Sequence, residues 1–204
     1  MTLKILLIRH GETDGNLKGF VQNADTPLNT VGKNQANLLY KELGKRNISQ
    51  ILSSDYLRAR QTIESFVEET NIPCSWSAIL RERDFGELKG KFYKDINSSK
   101  VFEESFSPPG GENLQQFEKR VDSAWNEILK VSNSLTGELA IVTHGLVIKD
   151  FLKRKLFLAK SISSKYEIVP NTSITIFEPI YPFNVVEFAS IKHLKSFNIN
   201  KGIA

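Results

Sequence analysis

The fold of this chain follows from one stretch, Leu3-Lys4-Ile5-Leu6-Leu7-Ile8-Arg9-His10-Gly11-Glu12-Thr13. Its first part, Leu3 to Ile8, is a nearly continuous apolar run with one lysine, which is typical of a central strand covered on both faces. Arg9 and His10 follow where that strand ends. In open α/β sheets, ligands bind in the crevice outside the carboxyl ends of strands, so this pair predicts a binding or catalytic site. We expect Gly11 to keep that site uncrowded.

A second stretch repeats the pattern late in the chain. Glu138-Leu139-Ala140-Ile141-Val142-Thr143-His144-Gly145 again joins an apolar strand to a histidine and a glycine, and a helical pattern runs from Leu146 to Leu158. If the two strands are neighbours, His10 and His144 face each other. The helix that opens after Gly145 would also offer free backbone N–H groups to an anion.

Length and composition favour a single domain over residues 1–204, because a chain of 204 residues can bury a sizeable core without covalent staples. One cysteine, Cys74, excludes an internal disulfide framework and fits a reducing compartment. The first strand reaches Arg9 too early for a signal peptide, and no apolar run is long enough to cross a bilayer. We therefore expect a cytoplasmic protein with no membrane partner.

The net charge is +4 and the isoelectric point is near 9.1. Nucleic acid is not the expected partner, because the lysines are spread along the chain and form no basic tract. A modest positive field suits a small anionic substrate at least as well, since clefts lined by one sign of charge concentrate their counter-ions.

Strand and helix patterns alternate along the chain, which predicts an α/β fold with a mostly parallel central sheet and helices on both faces, a three-layer sandwich. Asp14 to Thr26 is predicted to be a loop, and His193 a surface residue without a partner. The predicted elements after the first strand are a helix from Thr30 to Gly44, a strand at Gln50–Ser53, a helix capped by Ser54-Asp55, a strand at Cys74–Leu80, a helix from about Glu112 to Val131, and an edge hairpin of Ser173–Phe177 and Val185–Ile191.

Two further charged residues lie where these elements meet. Arg58 falls in the first turn of the helix after the second strand, where a cation opposes the helix dipole unless an anion binds nearby. Glu82 follows the third strand directly. Each also has a plainer interpretation, since Arg58 fits a solvent-exposed helix face and Glu82 a salt-bridged loop.

Four motifs together resemble the histidine phosphatase superfamily, also called the phosphoglycerate mutase-like family. Arg9-His10-Gly11-Glu12-Thr13 resembles its first signature, and the others follow in the family's order over most of the chain. They are Ser53-Ser54-Asp55-Tyr56-Leu57-Arg58-Ala59-Arg60-Gln61-Thr62, then Leu80-Arg81-Glu82-Arg83-Asp84-Phe85-Gly86, then Thr143-His144-Gly145.

The resemblance implies a phosphoglycerate mutase-like fold and a role for each motif. His10 would be the nucleophile that becomes a phosphohistidine, and Glu82 the proton donor. Arg9, Arg58 and His144 would bind the transferred phosphoryl group, since arginine forks match phosphate geometry. The two arginines also disfavour protonation of His10, and a protonated His144 would donate to the same oxygens. Further substrate contacts are implied at Asn16, Gln22, Asn23 and Gly145.

No metal and no cofactor is expected. Two histidines with nearby carboxylates are a usual ligand set, but no compact spacing such as H-E-x-x-H occurs, and two arginines would repel the ion. The loop from Gln22 to Leu28 departs from the family pattern, because it lacks a glycine after Gln22 and is one residue shorter.

The expected reaction is hydrolysis of a phosphomonoester of a small metabolite, such as a sugar phosphate or a phospho-acid, by a monomer or homodimer. The alternatives are a cofactor-dependent phosphoglycerate mutase and a non-catalytic phosphate-binding module. Mutases of the family carry a longer cover between the proton donor and the proline-glycine turn, whereas only Glu87 to Ser107 separates them here. A shorter cover admits water, which favours the phosphatase.

Lysines beyond Glu82 suggest a second anionic group on the substrate. Lys89, Lys91 and Lys94 are predicted to line the rim of the pocket, with the turn at Pro108 to Gly111 folding over them as a lid. A solvated lysine-rich loop is the alternative.

Overall fold

One sheet organises the computed structural model, which describes residues 3–96, 103, 105–159 and 168–194. Within these residues the sheet has six strands in the order β3-β2-β4-β1-β5-β6. Their bounds are β1 Ile5–Arg9, β2 Ile48–Ser54, β3 Cys74–Ser77, β4 Glu138–Thr143, β5 Ile174–Phe177 and β6 Val185–Ser190.

The two histidine strands lie side by side, which the sequence analysis had left as the condition for His10 and His144 to face each other. β1 pairs with β4 in parallel, with Arg9 opposite Thr143, so His10 and His144 follow at the same sheet edge. β2 is parallel to β4 and β3 is parallel to β2. The predicted edge hairpin is also confirmed, because β5 is antiparallel to β1 and β6 is antiparallel to β5.

Helices cover both faces of the sheet, which confirms the predicted α/β fold. Alternate residues of β1 point to opposite sides: Ile5 and Leu7 pack in one apolar core with α4 and α5, and Leu6 and Ile8 pack in another with α2 and α3. The helix bounds are α1 Asp14–Lys18, α2 Thr30–Leu43, α3 Leu57–Thr70, α4 Leu114–Ser132 and α5 Gly145–Arg154.

Several local predictions are wrong at their ends. Residues 14–18, predicted as loop, form α1, because Thr13 and Asn16 close a capping box at its start. The Cys74 strand ends at Ser77 and passes into a 3-10 helix, Ala78–Leu80. The helix after Gly145 ends at Arg154, four residues before the predicted Leu158.

Two predicted side-chain environments also differ. The N-cap of α3 is Tyr56, not Ser54-Asp55, and it makes no side-chain capping bond; Ser54 Oγ instead accepts a long bond from the Tyr56 backbone N–H at 3.3 Å. His193 is partly buried, with Nε2 3.3 Å from Thr172 Oγ1. It is therefore not a surface residue without a partner.

The described helices include none with the length and apolar character needed to cross a membrane.

Candidate active site

A small polar cavity opens at the carboxyl edge of the sheet, where the first three sequence motifs meet. His10, Arg9 and Arg58 form its floor, each only 2–3% exposed. Within the described chain the cavity is lined by Arg9, His10, Gly15, Asn16, Val21, Gln22, Tyr56, Arg58, Glu82, Arg83, Phe85, Lys89 and Tyr93. His144 lies fully buried behind His10, with 5.1 Å between the ring centroids.

The hydrogen bonding of His10 leaves one ring nitrogen available for attack. Nδ1 lies 2.7 Å from the Gly11 carbonyl oxygen. A carbonyl can only accept, so Nδ1 carries the proton, and the lone pair of a neutral ring is on Nε2. The ring is held in the tautomer that a nucleophilic histidine needs.

Burial keeps the His10 ring neutral, and two cations add to the effect. The pKa of His10 lies well below its usual value because of desolvation first, then repulsion from Arg58 and Arg9. The sequence argument named the arginines alone, whereas burial is the larger cause. His10 therefore keeps a free lone pair at neutral pH.

Arg9 and Arg58 supply the positive charge of the floor. Arg9 Nη1 donates to the Val169 carbonyl at 2.6 Å and Arg58 Nη1 to the Asn23 carbonyl at 2.8 Å. Among the described residues, neither Nε has a hydrogen-bond partner. Burial lowers the pKa of each arginine to about 10, so both remain charged at neutral pH. In the part of the chain that the structure describes, these two buried cations have no carboxylate within bonding distance, so they form a floor suited to an anion.

Thr62 connects the backbone of Gly11, next to His10, to Arg58. Its hydroxyl accepts from the Gly11 backbone N–H at 2.9 Å and donates to the Arg58 carbonyl at 2.6 Å. The first two motifs are thereby joined by a buried side chain that the sequence analysis did not single out.

His144 is neutral, not protonated as the sequence analysis considered. Its pKa lies well below the usual value because of burial first, then the charges of Arg58, His10 and Arg9. Nε2 lies 2.8 Å from Ser54 Oγ, and Nδ1 has no partner among the described residues. His144 can still donate to a phosphoryl oxygen if Nδ1 carries the proton.

Glu82 occupies the amino end of α5, which the sequence analysis expected to be open to an anion. Its Oε2 accepts from the Leu146 backbone N–H and its Oε1 from the Arg83 backbone N–H, each at 3.1 Å. The carboxyl group also lines the cavity. The helix that begins at Gly145 thus orients the proposed acid, and Gly145 itself is buried and does not line the cavity.

Asn16 and Gln22 lie at the cavity as expected, and Asn23 does not. Asn16 Oδ1 accepts from Thr13 and from Asn171 Nδ2, so its amide NH₂ is the group left to face the cavity. Gln22 Oε1 accepts from Thr13 Oγ1 at 2.9 Å. Asn23 is exposed and outside the lining, and only its backbone carbonyl contributes, through Arg58. The predicted side-chain contact of Asn23 is wrong.

The predicted rim of three lysines is wrong in two of its members. Lys89 lines the cavity, but its Nζ is paired with Asp84 Oδ1 at 2.7 Å. Lys91 is exposed and Lys94 lies over the Phe92 ring, and neither lines the cavity.

The turn at 108–111 is not a lid. Its backbone packs on the loop after Glu82: Glu87 N–H donates to the Pro109 carbonyl at 2.9 Å, and Glu112 N–H donates to the Asp84 carbonyl at 2.8 Å. Gly86 has a φ of +52°, and a side chain there would overlap the Pro109 carbonyl. The turn therefore packs against the motif that contains Glu82 and stabilises it from outside the cavity. Of the predicted cover, residues 97–102 and 104 lie outside the described residues.

The structure requires a glycine at position 11, but for a different reason from the predicted one. A Cβ at this position would lie 2.9 Å from the Gly32 carbonyl oxygen and 3.1 Å from Leu28. The missing side chain thus makes room for the start of α2, and not for a ligand.

Sequence reasoning missed the aromatic part of the cavity. Tyr56 and Phe85 lie inside quoted motifs, but aromatic residues are common in apolar cores as well, so nothing in the sequence marked them as cavity residues. Tyr93 belongs to an irregular stretch with no periodicity, so no sequence signal marked it.

This arrangement can hold one phosphoryl group and transfer it. An anion on the arginine floor would lie next to His10 Nε2, and Glu82 is a carboxyl group at the same cavity. The residues that the structure describes contain no cluster of three or more His, Cys, Asp or Glu side chains arranged to bind a metal.

Known proteins share this sequence and fold. A family model described as the histidine phosphatase superfamily (branch 1) matches residues 5–187. The chain is 31% identical to a probable phosphatase of Schizosaccharomyces pombe, over 99% of this chain and 100% of that protein. It is 32% identical to a broad-specificity phosphatase of Saccharomyces cerevisiae, over 85% and 78%. A solved structure of a mutant phosphoserine phosphatase from Entamoeba histolytica in complex with phosphoserine has a TM-score of 0.74 at 25% identity, over 94% and 99%.

Proposed function

The chain belongs to branch 1 of the histidine phosphatase superfamily, and we propose that it is a phosphatase that hydrolyses a phosphomonoester of a small metabolite through a phosphohistidine. The names of its relatives support the activity, since two of them are phosphatases that match most of this chain. The observation that carries the mechanism is the Nδ1–H of His10 on the Gly11 carbonyl, which leaves Nε2 free beside two buried arginines.

In the first step, His10 Nε2 attacks phosphorus in line with the leaving oxygen. The N–P bond forms as the P–O bond to the alcohol breaks, and Glu82 gives its proton to the departing oxygen. Arg9, Arg58 and the NH groups of Asn16 and His144 stabilise the charge on the three equatorial oxygens.

In the second step, water attacks the phosphohistidine. The Glu82 carboxylate takes a proton from that water, the N–P bond breaks, and inorganic phosphate leaves with the electron pair returned to Nε2. Neither step uses a metal, because the two arginines supply the positive charge.

Labelling and turnover test this function together. The purified protein should release inorganic phosphate from para-nitrophenyl phosphate without added metal and with chelator present. Acid-labile, base-stable label should appear on the protein during turnover. His10→Ala should abolish both, whereas His193→Gln, a matched change at a histidine outside the cavity, should retain both. Wild-type turnover by His10→Ala would refute the assignment.

The same assay distinguishes a phosphatase from the two alternatives, a phosphoglycerate mutase and a non-catalytic phosphate-binding module. A mutase would return the phosphoryl group to a second hydroxyl, so phosphorylated product would exceed released phosphate when a phosphoglycerate is supplied. A phosphate-binding module would bind phosphate without turnover or label.

We also propose one domain over residues 1–204, a cytoplasmic location and a monomeric or homodimeric state. The single cysteine supports the location, because it fits a reducing compartment. Sedimentation analysis of the purified chain tests the assembly, and fractionation of cells tests the location.

A further inference from the structure

Among the described residues, the cations at the mouth of the cavity, above the arginine floor, already have bonding partners. Lys89 is bound to Asp84. Arg81, which lies outside the cavity lining, forms a two-pronged pair with Asp55, at 2.7 and 2.5 Å. Arg83 is engaged as well, with Nε donating to the Glu112 carbonyl and Nη2 to the Phe106 carbonyl. A second anionic group on the substrate would have to displace one of these partners.

A carboxylate at the mouth adds to that cost. Asp84 lies beside the cavity, in an ion pair with Lys89. Like charges brought within a few ångströms in a partly buried site repel each other more than in water. The charge pattern therefore accommodates one anionic group, on the floor.

Apolar side chains, two of them aromatic, form the walls of the cavity mouth, and backbone hydrogen bonds hold them in place. Val21, Phe85 and Tyr93 pack in one apolar cluster. Backbone bonds hold it together across two loops: Tyr93 N–H donates to the Gly19 carbonyl at 2.9 Å, Val21 N–H to the Lys91 carbonyl at 3.0 Å, and Gly90 N–H to the Val21 carbonyl at 2.8 Å. Side chains held in this way form a fixed apolar wall at the mouth of the cavity.

Two phenol hydroxyls provide polar contacts without charge. Burial raises the pKa of Tyr93 to about 12 and raises that of Tyr56 as well, so both stay protonated at neutral pH. Among the described residues neither hydroxyl has a hydrogen-bond partner, and both side chains line the cavity. Each can donate to, or accept from, a hydroxyl of the leaving group.

We propose that this site takes the monophosphate of an uncharged alcohol with a flat apolar face, which lies against Tyr93, Phe85 and Val21. The inference rests on the proposed function and narrows its substrate class. It replaces the expectation of a bisphosphate or phospho-acid, because Lys89 is paired and Lys91 and Lys94 lie outside the cavity. An aromatic alcohol and a pyranose both present such a face, and the experiment distinguishes them.

Matched substrates test the charge requirement. Phenyl phosphate and 4-carboxyphenyl phosphate share a ring and differ in one remote charge; glucose 1-phosphate and glucuronic acid 1-phosphate, which share the pyranose ring, make the corresponding sugar pair. We expect kcat/KM to be about tenfold or more lower for the charged member of each pair. The aromatic and the sugar substrate that lack the extra charge are then compared. The one with the higher kcat/KM shows whether the site prefers an aromatic ring or a pyranose. A charged member that is turned over as well as its uncharged partner would overturn the proposal.

Variants test the wall. Tyr93→Leu should raise KM for phenyl phosphate about tenfold, whereas Tyr93→Phe should raise it less, because the ring remains. Inhibition by inorganic phosphate, which occupies only the floor, should be nearly unchanged in both. Lys91→Met with Lys94→Met is the matched control and should leave both uncharged substrates unaffected. Equal losses of substrate and phosphate binding in Tyr93→Leu would refute a leaving-group contact.

Failure of the inference is distinguishable from failure of the proposed function. If the charge preference is wrong, all four substrates are still hydrolysed and His10 is still labelled. If the proposed function is wrong, none is hydrolysed and no label appears.

Discussion

The hydroxyl of Ser54 lies 2.8 Å from Nε2 of His144, at the end of β2 and fully buried. The same oxygen accepts from the Tyr56 backbone N–H at 3.3 Å. Among the described residues the Ser54 proton has no other acceptor, so we infer that it is donated to Nε2 and that the proton of the neutral imidazole is on Nδ1. In the proposed mechanism, Ser54 is then a positioning residue that leaves the Nδ1–H of His144 to donate toward the phosphoryl group.

Removing this hydroxyl should slow the reaction. Ser54→Ala should lower kcat about tenfold, the value of one buried hydrogen bond, because the proton can then move to Nε2. Ser54→Thr should retain most activity. Nitrogen NMR shifts of His144 measure the tautomer directly, and a wild-type spectrum and rate in Ser54→Ala would contradict this role.

Glu82→Gln should affect substrates according to their leaving group. Gln keeps the size and one backbone contact, but it cannot give up a proton. We expect a loss of about 10²–10⁴-fold for an alkyl phosphate and a much smaller loss for para-nitrophenyl phosphate, whose anion leaves unaided. Equal losses for both, measured as kcat, would mean that Glu82 only positions Arg83 and the start of α5.

Stability should fall as the pH drops below about 6.5. The pKa values of buried His10 and His144 lie well below the usual value in the folded protein, so between those values and about 6.5 the unfolded chain binds more protons. The free energy of unfolding should then decrease by up to about 1.4 kcal/mol per pH unit for each histidine.

Urea unfolding between about pH 7 and pH 5 measures this slope, since most carboxylates titrate below that window. His10→Gln should reduce the slope by the contribution of one group. An unchanged slope in this variant would show that the buried histidines are not its source.

Arg154 ties α5 to α4 and should matter for stability more than for catalysis. Its guanidinium bonds both Asp150 oxygens, at 2.8 and 2.6 Å, and Asp122 at 2.8 Å. Arg154→Met should lower the free energy of unfolding by about 1–3 kcal/mol with little change in kcat. Lys45→Met, which breaks an exposed pair with Glu42, should cost less than about 1 kcal/mol. Similar losses in the two variants, measured by urea denaturation, would refute the distinction.

The points where helices and strands begin and end were harder to predict from the sequence than the elements themselves. Residues 14–18 contain no apolar periodicity, so only the capping box between Thr13 and Asn16 signals α1. The Cys74 strand ends early because its last residues wind into a 3-10 turn. Such ends depend on backbone bonds that sequence periodicity does not encode.

The sequence by itself indicated a mostly parallel sheet with helices on both faces and the residues at the floor of the site, whereas the order of the strands came from the structure. Arg9, His10 and His144 lie at strand ends, and parallel neighbours bring their carboxyl ends to one edge, so local pattern was enough to bring them together. Only the tertiary structure decided the tautomer of His144, the pairing of Lys89 with Asp84, and the aromatic walls formed by Tyr93 and Phe85. These depend on contacts between irregular loops, where neither spacing nor hydrophobic period tells a side chain which distant atom it will meet.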